Sequence, residues 1–222
     1  MAEQLTFDWP RHIAMGAETF FVSEANAEAY ALVTAPAGWP DAKLAVTGPP
    51  GAGKTHLARL FADQSGAAVL NAAKIDPAAP LPDGALVIED GETLPQAAQE
   101  WLFHAHNHLR ARALPLLLTG QTPPNRWPIT LPDLASRLSA TTCVTIADPD
   151  DRLLDAVLMK QFQDRQIAPT PEALALLRKH IDRTFEGAIE AVAALDQAAM
   201  EDGHAVNRAL VLRVLDIPPR QG

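Results

Sequence analysis

The residues best suited to chemistry form one glycine-rich segment, Gly48-Pro-Pro-Gly51-Ala-Gly53-Lys54-Thr55. It fits the pattern G-x-x-x-x-G-K-S/T, with an apolar run of strand length before it and a helical pattern after it, as a phosphate-binding loop requires. Glycines let backbone N–H groups approach phosphate oxygens, while the lysine reaches the β- and γ-phosphates and the threonine hydroxyl binds Mg²⁺. The segment therefore predicts a purine nucleotide, ADP or ATP, with Mg²⁺, bound by Gly48, Pro49, Pro50, Gly51, Ala52, Gly53, Lys54, Thr55 and His56.

Two adjacent carboxylates supply the acidic partner that a phosphate loop needs to hold its metal through water. Glu89 and Asp90 follow the apolar run Ala85-Leu-Val-Ile88, so they are predicted at the end of a buried strand. Their order reverses the usual Asp-then-Glu arrangement, which puts Glu89 at the Mg²⁺ position and the shorter Asp90 at the catalytic position. Since a displaced carboxylate spoils the geometry of attack, we expect weak intrinsic ATP hydrolysis.

Alternating short strands and helices are predicted to position these residues. Apolar runs of strand length cover residues 43–47, 67–71, 85–88, 115–119 and 142–146. Helical patterns cover residues 23–35, 54–64, 95–112 and 133–140. This alternation is typical of a doubly wound α/β domain with a parallel sheet.

The sequence changes character near residue 148. Beyond it, apolar residues recur only at helical spacing, and Thr170-Pro171 is a good helix start. We therefore expect an α/β core over residues 11–147, a small helical domain over residues 148–222 and a separate peptide over residues 1–10.

Composition and charge narrow the class of protein. With 222 residues, 48% hydrophobic and 20% charged, the chain has the balance of a globular protein rather than a disordered one. A formal net charge of −9 argues against broad, unassisted nucleic-acid binding. The single cysteine, Cys143, excludes an intramolecular disulfide and is predicted to lie buried in a strand. The sequence contains neither a signal-peptide pattern nor a membrane-spanning run, which favours a cytoplasmic protein without a membrane partner.

Several segments together resemble the AAA+ module of the bacterial replication initiator DnaA, from about Phe20 to Leu215. The resemblance implies a AAA+ P-loop NTPase fold, in which a parallel-sheet α/β core is followed by a small helical lid. DnaA continues into a helix-turn-helix domain that binds DNA, whereas this sequence stops after the lid. Besides the phosphate loop and the acidic strand end, the segments are Phe20-Phe21-Val22-Ser23-Glu-Ala-Asn26, Leu134-Ala-Ser-Arg137-Leu138 and Ile181-Asp-Arg183-Thr-Phe-Glu-Gly187.

The resemblance also implies roles for individual residues. Arg137 matches the arginine finger, which in this family reaches into the nucleotide site of a neighbouring subunit. Arg183 matches the sensor-2 arginine of the lid, which contacts phosphates in its own subunit, and Thr119 matches the sensor-1 region loosely. Family members without the DNA-binding domain promote hydrolysis of the ATP bound by DnaA and so limit replication initiation. DnaA, or further copies of this chain in a homo-oligomer, are therefore the expected partners.

The amino-terminal peptide Gln4-Leu5-Thr6-Phe7-Asp8-Trp9 resembles the motif by which replication proteins dock on the DNA polymerase III sliding clamp. Gln4 would form hydrogen bonds at the rim of the clamp pocket, and Leu5, Phe7 and Trp9 would supply apolar area. A clamp would let an acidic protein work at DNA without binding DNA directly. The alternative is that Phe7 and Trp9 pack on the chain's own domain.

Other interpretations stay open at this level. A helicase-loader or clamp-loader accessory would share the AAA+ fold but would engage a helicase or carry further oligomerisation domains. A small-molecule P-loop kinase would need a phosphoacceptor pocket with several lid arginines, whereas Arg183 alone stands at a motif position. A metal site at His104 and His108 is disfavoured because no acidic or cysteine ligand is nearby. The neighbouring Trp101, Leu102 and Phe103 are predicted to face the sheet.

Overall fold

The computed structural model describes residues 20–202 and 205–217, so Gln4, Leu5, Phe7 and Trp9 lie outside the described residues. A five-stranded parallel sheet forms the α/β part, with strand order β2-β3-β4-β1-β5. Each strand lies within one residue of its predicted bounds, and the predicted α/β fold is confirmed. The strands are β1 (Lys43–Thr47), β2 (Ala68–Asn71), β3 (Leu86–Glu89), β4 (Leu116–Gly120) and β5 (Cys143–Thr145).

Helices cover both faces of this sheet. On one face lie α1 (Ala27–Val33) and α2 (Lys54–Ser65), and on the other lie α3 (Gln99–Ala111) and α4 (Pro132–Ser139). Alternate residues of β1 serve the two cores, since Leu44 and Val46 pack on the first face and Ala45 on the second. Burial on both faces explains why the central strands are uninterrupted apolar runs in the sequence.

The edge strand β5 departs from the prediction. It has an exposed–buried–exposed pattern, in which Val144 enters the core while Cys143 and Thr145 are exposed. The cysteine sulfur lies 3.6 Å from the hydroxyl of Thr47 on the neighbouring strand. The prediction that Cys143 is buried is therefore wrong, because this edge strand is covered on only one of its faces.

The apolar residues of α3 are also only partly as predicted. Trp101 and Leu102 are buried, whereas Phe103 is half-buried and His104 is exposed. Successive helical residues point about 100° apart, so three consecutive side chains do not all face one sheet. The prediction that these three side chains face the sheet is therefore confirmed for Trp101 and Leu102, whereas Phe103 packs against the same core only in part.

The described carboxy-terminal residues form a helical bundle. Within it, the Thr170 hydroxyl accepts the Ala173 N–H at 3.3 Å and caps the following helix at the predicted position. The third helix of the bundle begins at Phe185, whose buried side chain joins the core of α1 and α2. None of the helices in the described part of the chain is long and apolar enough to cross a membrane. The bundle comprises α5 (Asp151–Asp164), α6 (Pro171–His180), α7 (Phe185–Asp202) and α8 (Arg208–Val214).

Candidate functional site

The predicted phosphate loop connects the carboxyl end of β1 to the amino end of α2. Gly48 follows β1 directly, and Lys54 is the first residue of α2. Gly51 and Gly53 have φ angles of +79° and +89°, which glycine adopts without strain. Backbone amides in such a turn, with the amino end of a 12-residue helix behind them, are suited to binding an anion.

Lys54 is buried against the loop that precedes it. Its Nζ donates hydrogen bonds to the carbonyl oxygens of Gly48 at 2.8 Å and Pro49 at 2.9 Å. Burial lowers the pKa of Lys54, and the carboxylates of Glu92 and Asp90 oppose that shift. A phosphate group here would give the amine charged oxygen acceptors and so favour its protonated form.

The two predicted carboxylates follow one another at the carboxyl end of β3 but differ in their surroundings. Glu89 Oε1 is buried and has no hydrogen-bond partner among the described residues, so this oxygen is available to a cation. Asp90 has a left-handed backbone with φ of 55°, and its Oδ2 accepts a hydrogen bond from Asn71 Nδ2 at 2.9 Å. The surroundings of Glu89 suit the predicted Mg²⁺ position, whereas the hydrogen bond from Asn71 constrains Asp90. Thr55, the other predicted Mg²⁺ ligand, is exposed in the first turn of α2.

Glu92 is a third carboxylate at this edge of the sheet, and the sequence analysis missed it. Its Oε1 accepts the Gln121 N–H at 2.9 Å, and its Oε2 is buried without a partner among the described residues. Of the two carboxylates that act on Lys54, Glu92 has the larger effect. The available signal was an acidic residue three positions beyond Glu89, within one turn of the strand end.

Thr119 ties two of these elements together. It lies buried on β4, next to β3 in the sheet, and its hydroxyl accepts the Asp90 N–H at 3.3 Å. The contact fixes the left-handed backbone of Asp90. Thr119, which the resemblance matched loosely to sensor 1, thus lies within the group of polar residues at the carboxyl ends of the strands.

An aromatic cluster flanks the other side of the phosphate loop. Phe20 stacks on Tyr30 with ring centroids 5.7 Å apart, and it meets His56 edge-on at 5.4 Å. Asn26 holds the turn that positions Phe20, because its side-chain amide donates to the Phe21 carbonyl at 2.9 Å and accepts the Ser23 N–H at 2.8 Å. Aromatic surfaces of this kind suit stacking with a nucleotide base.

Arg183 lies in the turn between α6 and α7 of the helical bundle. It stands two residues before Phe185, and its exposed guanidinium pairs with Asp151 at 2.9 Å. Because both partners are largely exposed, this ion pair is screened by solvent and contributes little to stability. Phe185 Cβ lies close to Gly51 of the loop, and the sensor-2 role of Arg183 stays a prediction.

Arg137 is the predicted residue that the structure separates from the phosphate loop. It lies in the last turn of α4, half-buried, with its guanidinium 5.2 Å from the centroid of the Phe103 ring. It lines a pocket with Lys43, the first residue of β1, whereas the phosphate loop follows the last residue. A strand of this length spans about 16 Å, so Arg137 and the loop lie at opposite ends of the sheet.

We expect Gly51→Ala to destabilise the protein more than Gly66→Ala. Both glycines have left-handed backbones, with φ of +79° and +68°, so each alanine costs roughly 1–2 kcal/mol in strain. At position 51 the added carbon would also lie 2.7 Å from Ile189 Cδ1 and 3.1 Å from Phe185 Cβ. At position 66 nothing in the described part of the chain lies within 4 Å.

Urea unfolding of the two variants measures this difference directly. Overpacking adds typically about 1–3 kcal/mol, so we expect that excess for Gly51→Ala. Equal losses in the free energy of unfolding would contradict the close contact between the phosphate loop and α7.

No family model and no curated protein matches the chain, but solved structures match its fold. Domain III of the Thermotoga maritima replication initiation protein DnaA has a TM-score of 0.71 and 19% identity over 90% of this chain and 95% of that one. The Thermotoga maritima RuvB Holliday junction branch migration motor has a TM-score of 0.61 and 19% identity, over 88% of this chain and 70% of that one. The replication initiator DnaA bound to AMPPCP and single-stranded DNA has a TM-score of 0.58 and 18% identity, over 83% and 66%.

Identities this low describe the fold alone. The matches with domain III and with the RuvB motor extend over 90% and 88% of this chain, whose described part consists of a parallel five-stranded sheet, flanking helices and a helical bundle. The chain therefore has a DnaA-like AAA+ P-loop NTPase fold.

Proposed function

We propose that this protein binds an adenine nucleotide in its own loop and supplies Arg137 to ATP held by a neighbouring DnaA molecule. It would thereby promote hydrolysis of that ATP and limit replication initiation, as the regulatory inactivator of DnaA called Hda does. The observation that carries the proposal is the position of Arg137, at the opposite end of β1 from the chain's own phosphate loop.

The nucleotide part of the proposal is supported by the loop and its surroundings. Lys54 and the loop amides suit the phosphates, Glu89 and Thr55 suit Mg²⁺, and the cluster of Phe20, Tyr30 and His56 suits the base. One structure with a similar fold is a DnaA protein bound to AMPPCP, an ATP analogue. Glu89 and Thr55 would hold Mg²⁺, and the metal would supply positive charge beside the phosphates.

The environment of Asp90 supports the proposal that ATP is hydrolysed at the partner's site and only weakly at the chain's own site. An efficient ATPase needs a carboxylate that is free to orient the attacking water. Here the carboxylate at the catalytic position is short, and it is already bound by Asn71. Weak hydrolysis at the chain's own site would leave the bound nucleotide to control the shape of the protein rather than be consumed by it.

The chemistry at the partner's site follows from the charge on the arginine. Within the described residues, no carboxylate lies within 4.0 Å of the Arg137 guanidinium, so none of them forms an ion pair with it. A guanidinium brought beside the γ-phosphate of a neighbour neutralises the charge that develops there, which accelerates hydrolysis by about 10³–10⁵-fold in known cases.

The sliding clamp would bring the protein to its target. Gln4, Leu5, Phe7 and Trp9 are proposed to dock on the clamp of DNA polymerase III, which encircles DNA. This arrangement is compatible with a net charge of −9, because the clamp rather than the protein would contact DNA. Self-association of the chain through Arg137 and the phosphate loop belongs to the same proposal.

Hydrolysis of ATP on DnaA, measured with and without this protein and with and without clamp loaded on DNA, tests the proposed function. We expect faster hydrolysis only when protein and loaded clamp are both present, and we expect the double variant Gln4→Ala, Leu5→Ala to lose the effect. Unchanged hydrolysis under every condition would refute the proposed function. Equal stimulation by the double variant would refute the role of the peptide.

A further inference from the structure

A pocket of about 280 Å³ opens at the amino end of β1, at the far end of that strand from the phosphate loop. Its volume lies just below the roughly 300–1,000 Å³ of sites for drug-sized ligands, so it suits a small ion or the end of a larger ligand. The side chains that line it come from β1, α3, α4 and the turns beside them, and include Lys43, His106, Arg110, Ser136, Arg137 and Thr141.

The pocket carries an unbalanced positive charge. Lys43, Arg110 and Arg137 face one carboxylate, that of Asp41, so three cations against one anion leave an excess of two. Asp41 pairs with Arg110 at 3.6 Å, but both side chains are more than half exposed and the pair is screened by solvent. Among the described residues, no carboxylate lies within 4.0 Å of the charged nitrogen atoms of Lys43 or Arg137.

Two polar side chains of the pocket are buried, and one of them, His106, lacks the partners that burial normally demands. Lys43 is 4% exposed and His106 is 2% exposed. Both ring nitrogens of His106 are buried, and neither makes a hydrogen bond of good geometry in the described part of the chain, although the side chain of the adjacent Asn107 lies close enough to act on the ring. An unpaired buried donor is costly, and a ligand in the pocket would supply the missing acceptor.

The protonation states make the lining a set of donors. Burial lowers the pKa of His106 to about 4, and the charges of Lys43, Arg137 and Arg110 lower it as well. The Asn107 side chain raises this pKa, but by less than burial lowers it. The ring is therefore neutral at pH 7 and keeps one N–H donor. Burial lowers the pKa of Lys43 to about 8. The charge of Asp41 opposes this shift, and the charges of Arg110 and Arg137 add to it. Most molecules therefore keep the Lys43 proton at pH 7.

We propose that this pocket binds a phosphoryl oxyanion, held by Lys43 and His106 beside Arg137. A dianion neutralises the excess of two positive charges, whereas one carboxylate leaves a cation uncompensated, and a metal ion is repelled. The oxyanion has two sources, free phosphate or the terminal phosphate of a nucleotide on a neighbouring molecule. The second source rests on the proposed function, because it needs Arg137 to work across an interface, and the first does not.

The His106 ring reports on the pocket directly in nuclear magnetic resonance spectra of the full chain. The chain used carries Lys54→Met, because this substitution weakens phosphate binding at the phosphate loop. It is titrated with inorganic phosphate and, separately, with DnaA loaded with AMPPCP. His106→Gln identifies the ring signals by their loss. We expect saturable shifts of the His106 signals with phosphate or with the loaded DnaA, and the ligand that causes them identifies the source.

A matched pair of lysine variants tests the role of Lys43. Each is made in the Lys54→Met chain, and unchanged signals from the rest of the protein establish that the variant folds. We expect Lys43→Met to lower the affinity for the ligand that shifts the His106 signals by about tenfold or more. Lys74→Met, which substitutes an exposed lysine, is expected to leave that affinity unchanged. Affinity is also expected to fall as the pH rises through about 8, where Lys43 loses its proton, and not to do so in Lys43→Met.

Failure of this inference is distinguishable from failure of the proposed function. His106 signals that shift with neither ligand, or that shift with equal affinity in Lys43→Met, overturn the pocket even if hydrolysis on DnaA is stimulated. If phosphate causes saturable shifts and Lys43→Met lowers the affinity for phosphate, the proposed binding in the pocket is supported even when ATP hydrolysis on DnaA is unaffected.

Discussion

Arg137→Ala is expected to lower the stimulation of ATP hydrolysis on DnaA by about 10³-fold or more, while nucleotide binding by the chain's own loop stays unchanged. The two effects separate because Arg137 and the loop lie at opposite ends of β1. Under the proposed function, removing the guanidinium would take away positive charge beside the neighbour's γ-phosphate, while the groups around Lys54 would be unchanged. Single-turnover hydrolysis on DnaA and nucleotide affinity of the isolated variant measure the two quantities.

Two further variants sharpen this test. Arg126→Ala removes an exposed arginine from the loop before α4 and is expected to leave stimulation intact, so it controls for total charge. Arg137→Lys keeps the charge but loses the planar fork of donors, so we expect stimulation between those of the other two variants. Full stimulation by Arg137→Ala would rule out the arginine-finger role.

Lys54→Met is expected to reduce the affinity of the chain for ADP by about 10²-fold or more. The Lys54 amine is buried and bonded to two loop carbonyls, from which it can turn to the phosphates. Hydrogen bonds to charged groups contribute about 1.5–3 kcal/mol each, and every 1.4 kcal/mol corresponds to tenfold in affinity. Calorimetric titration with ADP and Mg²⁺ measures the loss.

The control for Lys54→Met is Lys74→Met, which removes the same charge from an exposed position. Thermal unfolding without nucleotide shows whether the Lys54 variant is folded, and added ADP is expected to raise the unfolding temperature of the control variant only. An unaltered affinity in Lys54→Met would show that the loop does not hold phosphate.

The parts of the fold that depend on local sequence could be predicted. The central strands are buried on both faces, so their apolar runs were visible, and the loop before α2 has a fixed spacing of glycines and lysine. The Thr170 cap was visible for the same reason, because a cap depends on residues only a few positions apart.

The parts that depend on the tertiary arrangement could not be predicted. Cys143 is exposed because β5 lies at the sheet edge, and the strand order is not a property of any one segment. Glu92 acts on Lys54 only because a short turn after β3 bends it back over the sheet edge. His106 lies in a histidine-rich helix that looks polar in the sequence, and its burial depends on how the surrounding elements pack on α3.

Arg137 and the phosphate loop lie at opposite ends of β1, so the molecule has two different ends. We call the end with Arg137 the head and the end with the phosphate loop the tail. Copies joined head to tail form an interface between two different surfaces, and such contacts extend into a filament or ring instead of stopping at a pair. Under the proposed function, a chain that presents its head to DnaA would end a row of DnaA subunits. One such molecule would therefore act as a terminator at one end of a growing assembly, and its effect would depend on the number of ends rather than on the number of subunits.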